Sequence, residues 1–466
     1  MLFNSLQFLA FFPVVVAVYW LLPQKLRNLF LLIASYYFYM SWEPAYALLI
    51  LFSSITTYLG ALYIEKWQKH KKRATAICIV ANLLMLFVFK YLGFAGEILR
   101  DCLGINAISL PTLLLPVGIS FYAFQTIGYI IDVHRGEVKA ERNMLIYLLF
   151  VAFFPQLVAG PIERAKNMLP QLHNRHIFNG GNLICGIYIM MWGYFMKLCV
   201  AENVSAYVDT VFRHVPEQNG TSLLMAAFFF TFQVFSDFGG YSLIAIGAAR
   251  CMGFSLMTNF RHPYLSLSVR DFWRRWHISL TSWFTNYVYI PLGGNRCSAV
   301  RHKVNILVTF IISGLWHGAN YTFLIWGAYH GILMLLYSLK SNYLPSFSFK
   351  GRWGNAASML VTFCLVMVGW VFFKAKTVDD AVLAICKIFS SHGELYIAQG
   401  RAWIAMPLVM IAILMIKEWR DERKGIDITQ TKCTSLPAMV AKTVALAASI
   451  LLCANFNGKE FIYFQF

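Results

Sequence analysis

Apolar residues in this chain run in long unbroken blocks rather than recurring at every third or fourth position. Residues 2–22, 45–64, 74–94, 183–201 and 436–455 are such blocks. Each approaches or reaches the ~20 residues needed to cross ~30 Å of hydrocarbon as a helix. Further apolar blocks at 29–42, 112–133, 222–252, 357–373 and 402–418, and a pair at 304–316 and 320–339, predict more of the same. The expectation is about eleven spans. Continuity, rather than alternation, argues against a membrane β-barrel. Some stretches break the pattern. Residues 144–160 are apolar but contain FFPQLVAGP, with Pro155 and Gly160, followed by Pro161. They predict a broken, re-entrant segment buried within protein. ERAKNMLPQLHNRH (163–176) and residues 378–390 are amphipathic and predict helices along the interface. The fold class is therefore an all-α polytopic integral membrane protein.

Charge fixes an orientation. Lys and Arg number 39 against 21 Asp and Glu, a net charge of +18. Charged residues make up 13% of the chain, about half the usual share of a soluble domain. The basic residues gather in QKLRN (24–28), EKWQKHKKR (65–73), HRGEVKAERN (134–143), 340–354 and KEWRDERKG (417–425). The positive-inside rule places these on the cytoplasmic side. Both termini then face the other way, and the basic surface meets membrane lipid rather than nucleic acid. The first block lacks a basic leader and an A-x-A-like cleavage site, so it reads as a retained span. The ten Cys are scattered without a CxxC pair, which excludes a disulfide framework or a zinc site as an organising feature.

Residues 265–331 hold the chemistry. His317 lies in SGLWHGAN, with Gly314 and Gly318 on either side. A buried imidazole lacking a charged partner stays neutral, and a neutral imidazole can serve as general base toward a hydroxyl. The competing reading is a histidine that only hydrogen-bonds a neighbouring helix. His277 ends DFWRRWH. A helix there would put Trp273, Trp276 and His277 near one face. Arg274 and Arg275 would then point toward headgroups or an anionic ligand. Interfacial anchoring is the plainer reading of the two arginines. His330, in WGAYHG, reads as a packing residue on the next helix. Asp237, beside Gly239 and Gly240, interrupts an apolar run. A mid-membrane carboxylate costs ~2.5–3.5 kcal/mol, so it should face a pocket or partner. It can hold a histidine or cap a half-helix. Trp316 and Asn320 complete the pocket candidates. No HExxH or Cys/His cluster suggests a metal. Two functions fit such buried polar groups: an acyl-transfer enzyme, or a transporter or flippase of a polar envelope precursor. No matching inverted halves favour the second.

Five stretches carry a family resemblance. They are MLFNSLQFLAFFPVVVAVYWLLP at the N-terminus, PVGISFYAFQTIGYIIDVHRG (116–136), FFPQLVAGPIER (153–164), FSDFGGYSLIAIGAARCMGF (235–254), and DFWRRWHISLTSWFTNYVYIPLGGNR with SGLWHGANYTFLIWGAYHG. Together they resemble the membrane-bound O-acyltransferase family, in its bacterial alginate O-acetylase branch, and are similar to peptidoglycan O-acetyltransferase membrane subunits. The resemblance implies one membrane domain over 1–466 with a central pore: N-terminal helices to about 110, a catalytic core over about 112–340, and C-terminal helices over about 355–466. It implies acetyl transfer from a cytoplasmic donor, acetyl-CoA, with no bound cofactor, toward an extracytoplasmic polysaccharide. It implies location in a bacterial inner membrane. It gives His317 the family's catalytic histidine role and His277 the second active-site position. It also implies a periplasmic SGNH-hydrolase-like acetyltransferase as partner. The end of the chain, FIYFQF (461–466), resembles the family's tyrosine-bearing tails, which makes Tyr463 an acyl-relay candidate.

Overall fold

The computed structural model describes residues 1–103, 114–158, 160–343, 351–398, 400–433, 435–456 and 461–462, the side chains of 102–103 and 339–343 excepted. Every regular element among the described residues is helical. Seven helices among them are long and apolar enough to cross a membrane: Pro44–Lys66, Gln68–Asp101, Gly180–Arg213, Gly220–Cys251, Arg352–Lys374, Ala402–Lys424 and Leu436–Cys453. The other expected spans appear as helices that are shorter or carry polar turns. They are Leu6–Leu21, Gln24–Met40, Ile119–Arg135, Ala299–His317 and Tyr321–Tyr343.

Three boundaries differ from the sequence expectation. QKLRN opens the helix Gln24–Met40 rather than forming a loop. KEWRDERKG supplies the last turns of Ala402–Lys424, where Lys417 bonds Asp421 one turn on, at 2.5 Å, and Gly425 stops the helix at φ +62. Glycine adopts that left-handed conformation without a Cβ clash. The run 222–252 is not interrupted at Asp237. One helix continues from Gly220 to Cys251, because the carboxylate is neutralised from the side.

The chain divides into two compact units. The first comprises Met1–Met190, Tyr241–Met257 and Lys432–Thr443. Its core joins helices through small polar groups. Ser53 Oγ donates to Asn82 Oδ1 at 2.5 Å and lies 3.0 Å from Thr126 Oγ1, while Thr57 Oγ1 is 2.7 Å from Tyr147 OH. Such interhelical bonds contribute on average about 0.6 kcal/mol each inside a bilayer. The expected broken segment is present. The helix Met144–Ala152 stops at Phe153 (φ −52, ψ 109), and a short helix Phe154–Leu157 follows. The groups freed by the break are met internally: Gln125 Nε2 donates to Phe150 O at 2.8 Å, and Phe154 N donates to Ser35 Oγ at 3.1 Å. The amphipathic helix Ala165–His173 buries Ala165, Met168, Leu169 and Leu172.

The second unit comprises Met191–Gly240, Thr258–Thr431 and Val444–Phe466. Its frame is the hairpin of Ala299–His317 and Tyr321–Tyr343, with residues 318–320 as the turn. The two helices touch through glycines. A Cβ at Gly314 would lie 2.2 Å from Phe323 O, and one at Gly327 would lie 2.4 Å from Phe310 O. Backbone oxygens cannot give way as a flexible side chain can. Gly327→Val is therefore expected to force the hairpin apart, at a cost of about 1–3 kcal/mol for overpacking. The melting temperature of the detergent-purified protein should fall; an unchanged melt would contradict this packing.

Candidate active site

The peptide around His277 does not form one helix. Val269–Arg275 ends, Trp276 is extended, and His277 takes φ +43 as the cap of Ile278–Phe284. A non-glycine residue in that conformation carries strain of order 1–3 kcal/mol unless its surroundings fix it. They do so through the neighbouring strand of loop. Arg261 N donates to Arg275 O and Ile278 N donates to Asn259 O, both at 2.9 Å. Asn259 Oδ1 then receives His277 Nδ1 at 3.0 Å, Ser279 Oγ at 2.9 Å and Ser279 N at 3.3 Å. The break turns His277 away from the helical face expected for it.

His317 is the last residue of Ala299–His317, at the mouth of the hairpin turn. Its ring meets Trp316 at 5.0 Å, Trp326 at 5.0 Å and Phe373 at 5.3 Å. Trp316 also lies 6.0 Å from His277, so one indole touches both histidines. Trp276 packs on Phe260 and Trp370, each at 4.9 Å. His277, Trp276, Trp316 and His317 are thus brought together, and all are buried. His330 packs on the second hairpin helix, as expected of a packing residue. It is fully buried, 5.0 Å from Trp326 and 5.1 Å from Trp273.

Other candidates fall elsewhere. Asn320 caps the second hairpin helix, accepting from Thr322 N at 3.0 Å and donating to Lys376 O at 3.2 Å. Arg275 does not reach for a ligand, because Asp271 at 3.0 Å and Glu422 at 2.8 Å already neutralise it. Arg274 is exposed.

Asp237 has partners other than a histidine or a helix end. Lys197 Nζ approaches Asp237 Oδ1 at 2.7 Å and Glu202 Oε1 at 2.9 Å. All three residues are at most 3% exposed. Lys197 sits in a widened π turn, Phe195–Ala201, a distortion frequent at functional sites. Sequence reading passed over it. The signal was a lone lysine in the apolar run MMWGYFMKLCVA, since an intramembrane charge demands a named partner. This turn and the helices beside it hold residues from near the C-terminus. Leu198 O accepts Asn455 N at 3.1 Å, Asn203 Nδ2 donates to Cys453 O at 3.0 Å, and Asp237 Oδ2 accepts Ile462 N at 2.8 Å. Phe461 and Ile462 are buried. The Phe461 ring is 5.6 Å from Phe238, which lies 4.5 Å from His277. Tyr463 lies outside the described residues.

Comparison with known proteins identifies the family. The sequence model of MBOAT, the membrane-bound O-acyltransferase family, matches residues 141–375, half of the chain. A probable alginate O-acetylase of Azotobacter vinelandii is 34% identical over 100% of both chains. A peptidoglycan O-acetyltransferase of Helicobacter pylori is 34% identical over 84% of this chain and 80% of its own length. A teichoic acid D-alanyltransferase of Bacillus subtilis is 26% identical over 64% of this chain and 77% of its own. The chain is a multi-pass membrane acyltransferase and belongs to the membrane-bound O-acyltransferase family.

Proposed function

We propose that this enzyme moves acetyl from a cytoplasmic donor, acetyl-CoA, to hydroxyls of an extracytoplasmic polysaccharide such as alginate or peptidoglycan. The observation that carries this reading is the shared indole. Trp316 touches both His277 and His317, so two buried imidazoles line one aromatic-walled site. In the reaction, a hydroxyl oxygen attacks the thioester carbonyl carbon and His317 takes its proton. The C–S bond breaks, and the proton passes to the departing sulfur to give the free thiol. His317 closes a helix, and the negative end of the helix dipole suits a residue that must briefly hold a proton. Exposed Arg274 can meet the donor's phosphates.

The seated tail supports a relay. Ile462 is held by Asp237, and Phe461 is one ring from His277. Tyr463 follows directly, and its phenol serves as first acetyl acceptor. A periplasmic SGNH-hydrolase-like acetyltransferase then takes the group and delivers it to the sugar. This polarity suits a bacterial inner membrane with both termini outside.

His317→Ala is expected to lower base-labile acetate on the cell's polysaccharide by about 100-fold or more, the usual scale for losing a general base. Normal acetate with normal protein levels would refute the reading. Tyr463→Phe should abolish delivery as well, and full acetylation by that variant would remove the relay. Asp237→Asn keeps an acceptor for the Ile462 amide and should retain more activity than Asp237→Leu. Wild-type activity in the leucine variant would argue against the tail seat.

A further inference from the structure

The hydrogen bonds around His277 fix which of its nitrogens carries the proton. Asn259 Oδ1 accepts from Ser279 N, which can only donate, and from Ser279 Oγ. The atom facing them is therefore the amide oxygen, because the amide nitrogen would oppose one donor with another. His277 Nδ1 lies 3.0 Å from that same oxygen. An oxygen with no hydrogen can bond Nδ1 only if Nδ1 carries one. Ser279 Oγ, 3.4 Å from Nδ1, points its own hydrogen at Asn259 and so turns a lone pair to Nδ1. Both contacts demand the same tautomer. Nε2 is left with a lone pair, buried and without a hydrogen-bond partner among the described residues.

We propose that Asn259 is a positioning residue that locks His277 as the Nδ1–H tautomer, so that Nε2 meets the substrate as a hydrogen-bond acceptor. This rests on reading the histidine pair as the transfer site. In this form His277 cannot donate to an oxyanion. It receives a hydrogen, from a hydroxyl or amide of donor or acceptor, and so orients that group beside His317. The lock uses a neutral amide rather than a carboxylate. Asn259 sets the ring's direction and tautomer without adding a negative charge to a buried site. The backbone delivers it to its place. Ile278 N bonds Asn259 O, and Arg261 N bonds Arg275 O, both at 2.9 Å, which holds the two segments in register.

The test is the tautomer itself. Protein labelled with ¹³C and ¹⁵N at histidine, embedded in lipid, is measured by solid-state NMR. His277→Asn identifies the His277 signals by subtraction. The expected result is Nδ1–H with an unprotonated Nε2, and an Nε2–H ring overturns the proposal. The tautomer is read from the ring's own shifts. It is decided even in a preparation without transfer activity, which separates this proposal from the reading of function. Two variants add a second readout. Asn259→Asp retains the acceptor and adds charge that favours imidazolium. Its activity should persist, with the acidic limb of the pH profile moved to higher pH, because neutral His277 is then lost sooner as pH falls. Asn259→Leu should release the lock and give mixed tautomers. An unmoved acidic limb in the aspartate variant, or an unchanged tautomer in the leucine variant, counts against Asn259.

Discussion

A charge inside a membrane protein must be matched within the protein, and much of the second unit is arranged around one such match. Lys197 stands between Asp237 and Glu202, all three sealed from solvent. Removing one member of such a set typically costs about 3–5 kcal/mol, because the remaining charge is left buried and uncompensated. The match also has an outlet. Asp237 spends one oxygen on Lys197 and the other on the Ile462 amide. The buried pair is thereby tied to Ile462, and the π turn carrying Lys197 holds Asn455 through Leu198 O.

From Asp237 the next residue, Phe238, faces His277. Charge pairing, tail seating and histidine placement therefore follow one short path through the helix Gly220–Cys251. His317 arrives by a separate route, at the end of a hairpin whose helices approach through glycine. Trp316 joins the two routes. The aromatic walls give the histidines rigid neighbours. A site of this kind suits passing a small acyl group to a hydroxyl. Family membership favours that chemistry over export of a polar precursor, which no specific observation supports.

The long apolar blocks made the helical membrane fold legible from sequence, and the two histidines stood out because imidazoles are rare in such surroundings. FFPQLVAGP announced its own break, since proline and glycine act locally. The failures share another cause. Helix continuation through Asp237 depends on a partner distant in sequence, Lys197, 40 positions earlier. The break at His277 depends on loop residues 259–261, which no helical periodicity registers. Arg275 looked available until Glu422, far along the chain, neutralised it. Asn259 carried no sequence signal at all. Its role follows only from the three donors that converge on one oxygen.

The central claim is that the buried histidine site loads an acyl group onto the chain's own tail. It is tested most directly by mass spectrometry of the C-terminal peptide after the purified protein has been incubated with acetyl-CoA. The account predicts acetyl on Tyr463 in the wild-type protein and none in His317→Ala. A wild-type protein that turns over donor while its C-terminal peptide stays unmodified, at Tyr463 and elsewhere, would contradict it.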